Sequence, residues 1–470
     1  MTRPGVAPIV VVVLALTLLL APRPAPAQSL PPLTPTQAAL REIYKELVEI
    51  NTTDSVGDTT VAARAMAARL KAAGFTDGEL RVVVPPGAPK KGNLVARLRG
   101  RGTGKPILLL AHLDVVEAKR EDWSLDPFLL TEKDGYFYGR GTSDDKAMAA
   151  IWIANLIRYK QEGWVPRRDL IVALTSDEET GPHNGVSWLV AEHRDLIDAA
   201  FALNEGGGGR LQDGKRLYNG VGASEKVYVT LALDTHNKGG HSSVPRKDNA
   251  IYQLANALTR LEKHQFPVQL NEVTRAYLDR MSRIETGPLA ADMKGAAAGD
   301  AGAAARLSET AVYNALMRTT CVATRLEGGH ADNALPQSAH ALVNCRILPA
   351  QPPEEVREAV VKAIGDPEVE VKWVDTAKPS APSPLDPAVM RPIEQVTSEF
   401  WPGVPVMPLM ATGASDGLYL RNAGIPTYGV SGLFSEIADN RAHGRDERVQ
   451  VPSFYESLQF LYTLVKRLAS

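Results

Sequence analysis

The sequence predicts an α/β protein in two parts: a larger domain with a central, mostly parallel sheet flanked by helices, and a smaller α/β domain inserted into it. Three observations predict this. Between Lys105 and Leu203, short apolar runs alternate with helical patterns, which implies strand–helix crossovers onto a largely parallel sheet. From 223 to 377, alternating strands and amphipathic helices read as a separate small layer. The chain then returns for its last strands and the helix SFYESLQFLYTLVKRLA. At 470 residues, 44% of them hydrophobic and 23% charged, the chain can bury two cores.

The first residues stand apart. Arg3 precedes the apolar run IVVVVLALTLLLA (Ile9 to Ala21), and Ala25-Pro26-Ala27 follows. A basic start, a short apolar core and a small-x-small site describe a secretory signal peptide over 1–27. The run falls short of the roughly 20 residues a membrane span needs, although an uncleaved anchor is the alternative. The mature protein is therefore expected to start near Gln28, to be secreted or periplasmic, and to keep no membrane span. The expected division is 28–222 and 378–470 for the larger domain and 223–377 for the insertion. A net charge of −2 gives no reason to expect a nucleic-acid partner.

In order, PILLLAHLDVV reads as a buried strand, DKAMAAIWIANLIRYKQ as a helix and DLIVALTS as a second strand. GVSWLVAEHRDLI is helical and AAFALNEG is a third strand. In the insertion, KVYVTLALDT, AHALVNCRIL and EVEVKWV alternate as strands, whereas DNAIYQLANALTRLEKH and PEEVREAVVKAI are helical. The alanine-rich stretch 290–305 reads as a flexible surface insertion. Cys321 and Cys345 allow either a disulfide or two buried thiols. Their spacing does not resemble a zinc site.

Ligands of open parallel sheets collect beyond the carboxyl ends of the strands. Three of the strands end in candidate metal ligands: His112 with Asp114, Glu178 with Glu179, and Glu205. A glycine-rich loop, YGRGTSDDKAM, places Asp144 and Asp145 before a helix, and NRAHGRDERV supplies His443. Singly, each has an ordinary reading, such as an N-capping aspartate or a solvated histidine. Together, two histidines and three carboxylates suit two divalent cations, above all zinc. Two such ions balance Asp144, Glu179, Glu205 and one hydroxide, so the cluster can sit at the edge of a core.

The ordered motifs are H-x-D at His112, G-R-G-x-x-D-x-K from Gly139 to Lys146, D-E-E-x-G, N-E-G, G-G-H-S-S-x-P from Gly239 to Pro245, and a terminal H-G. With them the chain resembles the di-zinc metallopeptidases of the aminoacylase, carboxypeptidase G and succinyl-diaminopimelate desuccinylase type. The resemblance covers nearly all of the mature chain. It implies a zinc-peptidase-like catalytic domain with an inserted lid of the dimerisation type, holding two Zn²⁺ per subunit, with Co²⁺ or Mn²⁺ as substitutes. Asp144 would bridge both ions, His112 and Glu205 would complete one site, and Glu179 and His443 the other. Asp114 would orient the His112 imidazole. The peptide Asp144–Asp145 would be cis. Glu178, left free, would act as general base toward a water that zinc makes acidic, then return the proton to the leaving amine. Asp177 reads as a loop-stabilising carboxylate.

In the lid, the resemblance gives His241 the task of stabilising the oxyanion, reached across a homodimer in dimeric relatives. His236 reads as a solvated turn residue. Asn333 and Arg346 match substrate-contacting positions, with Arg346 suited to a free α-carboxylate. Gly413, in ATGASDG, offers backbone N–H groups to the same carboxylate. The long stretch between Pro267 and Met317 resembles the branch of carboxypeptidase S and N-fatty-acyl amino acid hydrolases. The implied substrate is a small peptide or N-acyl amino acid with a free carboxylate. A strict dipeptidase, a deacylase of one amino acid, and a non-catalytic exported binding module are the alternatives.

Overall fold

The computed structural model describes residues 32–179 and 181–470, so the signal peptide expected over 1–27 lies outside the described residues. No described helix is long and apolar enough to cross a membrane.

Among the described residues, the main sheet has ten strands. Ile107–His112 lies at its centre, parallel to both Leu170–Thr175 and Phe201–Asn204, and Thr427–Gly429 continues the parallel set. Antiparallel pairs stand toward either end, where Asn93–Leu98 joins Leu170–Thr175 and Gly209–Gln212 joins Lys215–Glu225. Val406–Ala411 runs parallel to Lys215–Glu225. The central strands are apolar throughout because helices cover both faces. Leu109 and Ala111 pack with Tyr44, Trp152 and Phe454 from helices Pro35–Glu49, Lys146–Gln161 and Val451–Leu468. Leu108 and Leu110 point the other way, toward Val186 and Leu189 of Gly185–Glu192 and Leu420 of Gly417–Asn422. This is the period-two alternation of a strand buried on both sides.

A second sheet, wholly antiparallel, has the order Thr320–Gly328, Ser338–Ile347, Val227–His236, Glu370–Trp373. Helices Ala250–Lys263 and Pro353–Ile364 cover it around Leu254, Leu261, Val356 and Val360. Cys321 and Cys345 face each other in register and are joined as a disulfide, which selects one of the two states the sequence allowed.

Several local expectations are corrected. Lys215–Glu225 belongs to the main sheet to its end, and the second sheet starts at Val227. GVSWLVAEHRDLI forms two helices, Gly185–Glu192 and Arg194–Ile197, broken at His193. Residues 290–305 lie largely in helices Gly287–Ala297 and Ala301–Leu307. Alanine is the best helix former, Gly299 turns the chain at a positive φ, and Asp300 accepts from the N–H groups of Gly302 and Ala303 as an N-cap. Met293, Ala296, Ala303 and Leu307 are buried with Tyr218 and Met407 of the main sheet. These helices and Glu272–Met281 thus pack on the large domain.

Candidate metal centre

Parallel pairing brings the expected ligands to one edge. In the sheet, His112 stands opposite Thr175, and the acidic run 177–179 follows immediately; Glu205 follows the strand on the other flank. His112 is 2% exposed. Its Nδ1 lies 3.0 Å from the Asp114 carbonyl oxygen, which can only accept, so Nδ1 carries a proton and Nε2 is the atom turned to the carboxylates. Nε2 is 3.0 Å from Asp144 Oδ1 and 3.7 Å from Glu205 Oε2. The other Asp144 oxygen, Oδ2, is 3.2 Å from His443 Nε2, which is 3.0 Å from Glu179 Oε1. Asp144 therefore presents one oxygen to each histidine. The Asp144–Asp145 peptide is cis.

Asp114 has a different geometry from that expected. Its side chain is 3.7 Å from His112 Nδ1, whereas its two oxygens accept from the N–H groups of Glu178 and Glu179 at 3.1 and 3.0 Å. The carbonyl orients the imidazole, and the carboxylate fixes the acidic loop. Asp177, fully buried, accepts from Lys91 Nζ at 2.6 Å and from the His183 N–H at 2.6 Å. That confirms a loop-holding role and explains how this carboxylate stays in the core.

The remaining acids are crowded. Burial, then the charge of Glu205, pushes Glu178 well above the usual carboxylate range. Burial raises Glu179 to about 7 and raises Glu205 as well. For Asp144, burial works upward, but hydrogen bonds from His112 and His443 outweigh it and hold the group low. The hydrogen bond to Asp144 lifts His443 to about 9. Such a cluster takes up positive charge, as protons or as divalent cations.

The donor set fits cations. Ligand atoms of Asp144, Glu179 and His443 lie within 4.8 Å of one another, as do those of His112, Asp145 and Glu205, and those of His112, Glu178 and Glu179. Asp145 Oδ2 is buried without a hydrogen-bond partner among the described residues. A buried carboxylate oxygen left unpaired beside His112 and Glu205 is what a bound cation would satisfy.

A family model for peptidase family M20/M25/M40 matches residues 108–467. The chain belongs to that family. It is an enzyme of the metallopeptidase and amidohydrolase type. It is 33% identical over 368 residues to the N-fatty-acyl-amino acid synthase/hydrolase PM20D1 of Xenopus tropicalis, covering 77% of this chain and 72% of the relative. It is 26% identical to aminoacylase-1 of Sus scrofa, covering 91% and 95%. In fold it matches an M20 family metallo-carboxypeptidase of Sulfolobus solfataricus at a TM-score of 0.67 and 18% identity, covering 92% and 99%.

Two groups at the site are not singled out in the sequence, and a third, Asp145, stands beside Asp144 as a candidate there but takes no place in the ligand set, because two adjacent acids give no sign of which turns inward. Glu447 is fully buried and binds the loop that carries Asp144; nothing in the charged run around it marks a buried carboxylate. Asp416, 2% exposed, accepts from Asn184 Nδ2 at 2.6 Å, and burial raises it to about 7. Its only signal was its place in a glycine-rich loop.

The lid residues lie elsewhere. His241 and Asn333 are exposed and neighbour each other, with the Ser242 N–H donating to the Asn333 carbonyl at 3.0 Å; neither lines the cleft beside the ligands. His241 Nδ1 is 2.7 Å from Ser243 Oγ. Arg346 stacks over Tyr228 and donates to the Thr412 carbonyl at 3.3 Å, next to Gly413 in the cleft wall.

Proposed function

We propose that the protein is an exported di-zinc hydrolase of N-acyl amino acids bearing a free α-carboxylate. The observation that carries this is the Asp144 carboxylate, whose two oxygens face His112 and His443. The similarity to an N-fatty-acyl-amino acid synthase/hydrolase supports the substrate class, and the apolar leader of Ile9 to Ala21 supports export. His112, Asp144 and Glu205 would hold one ion, with Asp145 within reach, and Asp144, Glu179 and His443 the other.

Bound zinc would polarise the scissile carbonyl and make water nucleophilic near neutral pH. Glu178 lies in the same cluster as His112 and Glu179, with its backbone fixed by Asp114. Its carboxylate takes the proton of the attacking water and delivers it to the departing nitrogen. Arg346 and the Gly413 backbone hold the α-carboxylate. His241, carried by the lid, donates to the carbonyl oxygen once the lid closes.

Replacing Glu178 by Gln tests this directly. Zinc content and circular dichroism should stay unchanged while kcat on N-acyl amino acids falls at least about 10²-fold. Chelation should abolish wild-type turnover. Near-normal turnover by the Gln variant would remove Glu178 from its role, and turnover of dipeptides alone would replace the substrate class.

A further inference from the structure

The cleft that opens on Asp144 and Glu205 has a volume of about 510 Å³, within the range of small-molecule sites. One wall comes from outside both sheets. Tyr277 of helix Glu272–Met281 and Leu316 of helix Ala311–Met317 line it, together with Met148, Tyr218, Leu409 and Met410. The segment bearing these two residues is anchored: Leu278, Met281, Met293, Leu307 and Met317 are buried against Met407. Tyr277, Leu316 and Leu409 are only partly buried, so the wall offers apolar surface to whatever occupies the cleft.

The direction of the cleft decides which part of a substrate meets this wall. Arg346 bonds the Thr412 carbonyl, three residues beyond Leu409 along the same segment, and Gly413 is one further. At about 3.3 Å per residue, the carboxylate end of the cleft lies roughly 10–13 Å from the Leu409 wall. In an N-acyl amino acid the α-carboxylate is separated from the amide nitrogen by a single carbon. The amino-acid part is therefore spent between Arg346 and the scissile bond, and the group left to extend toward Leu409 is the acyl chain.

We propose that Tyr277 and Leu316 form an acyl-chain wall, so that the inserted helices set a preference for long, apolar acyl groups. This rests on the N-acyl amino acid reading above. Each buried methylene is worth about 0.8 kcal/mol, or roughly fourfold, so a few methylenes on this wall separate long from short acyl groups by about 10²-fold.

The experiment compares kcat/KM of zinc-loaded full-length protein for N-acetyl-, N-octanoyl- and N-dodecanoyl-phenylalanine, and for N-dodecanoyl-glycine. Leu316→Trp, which fills the arm, and Tyr277→Ser, which removes apolar surface, are measured alongside, with zinc content and circular dichroism as controls. Both variants should lose at least tenfold on the dodecanoyl substrates and stay within about twofold on the acetyl substrate. Inhibition by dodecanoate should weaken in parallel, a binding readout independent of turnover. Equal losses on acetyl and dodecanoyl substrates would overturn the proposal, because the wall would then be structural only. A changed phenylalanine-to-glycine ratio with chain-length preference intact would also overturn it, since the arm would hold the side chain. Wild-type protein that cleaves no N-acyl amino acid would sink the functional reading itself, a result distinct from either.

Discussion

Glu447 sits four residues after His443, and its carboxylate, fully buried, collects five hydrogen bonds from the loop that bears Asp144. Oε1 accepts from the Ser143 N–H, the Ser143 hydroxyl and the Asp144 N–H at 2.7, 2.9 and 3.0 Å. Oε2 accepts from Arg140 Nη1 and the Gly141 N–H at 2.7 and 3.0 Å. Arg140 in turn donates to the carbonyl of Gly444, beside His443. The loop carrying Asp144 is thus tied to the loop carrying His443. Gly141 belongs here because its φ is +84° and a Cβ would stand 2.8 Å from Val115 Cγ1. Glu447→Gln turns one acceptor into a donor facing donors. It should weaken zinc retention about 10–100-fold, the usual effect of losing a group that orients metal ligands, as read by competition with a chelator. Unchanged zinc affinity would mean that the two loops hold their places without it. At this scale the sequence was legible wherever chemistry showed itself as a motif. His112, Asp144, Glu179 and Glu205 meet at one edge because each stands at the end of a strand or after a glycine turn, and His443 joins them from the loop after Phe434–Glu436. Glu447 and Lys91 are not legible there, because burial of a charge is decided by distant partners, as when Lys91 reaches Asp177 across 86 residues.

Among the elements, the central strands and their crossover helices were readable because a strand buried on both faces must be apolar without interruption. The sequence suggests a flexible insertion at 290–305 where the structure has helices, because alanine and glycine are shared by flexible linkers and by close-packed short helices. What distinguishes them is the core they enter, and that core includes Met407 on a strand a hundred residues later. Met293 is 0% exposed within it. Met293→Ala should therefore cost about 2–5 kcal/mol of stability, the range for truncating a buried methionine, measured by urea unfolding followed by circular dichroism. A loss within about 0.5 kcal/mol, the usual effect of a surface substitution, would return this segment to the surface.

The whole molecule joins a main sheet that bears the candidate metal ligands to a second sheet, and His241 lies outside the cleft in a two-stranded ribbon paired with Ala334. Among the described residues, the outer strand of that second sheet, Thr320–Gly328, is paired on one side only and leaves Val322 and Leu326 61% and 63% exposed. An open, apolar edge is a natural place for a second copy to pair, and our reading is a homodimer in which His241 serves the partner's cleft while Arg346 stays with its own. If so, mixing inactive Glu178→Gln chains with inactive His241→Ala chains should restore activity, because one site of each heterodimer receives both intact groups. No recovery after proven chain exchange would leave His241 to its own subunit or outside catalysis.

The central claim is that two cations share Asp144. Anomalous-difference maps from zinc-loaded crystals, recorded on either side of the zinc edge, test it most directly. Two peaks should flank the Asp144 carboxylate, about 3.5–4 Å apart as in other two-metal hydrolytic sites, one against His112 and Glu205 and the other against His443 and Glu179. A single peak, or a pair in which Asp144 touches only one ion, would contradict it.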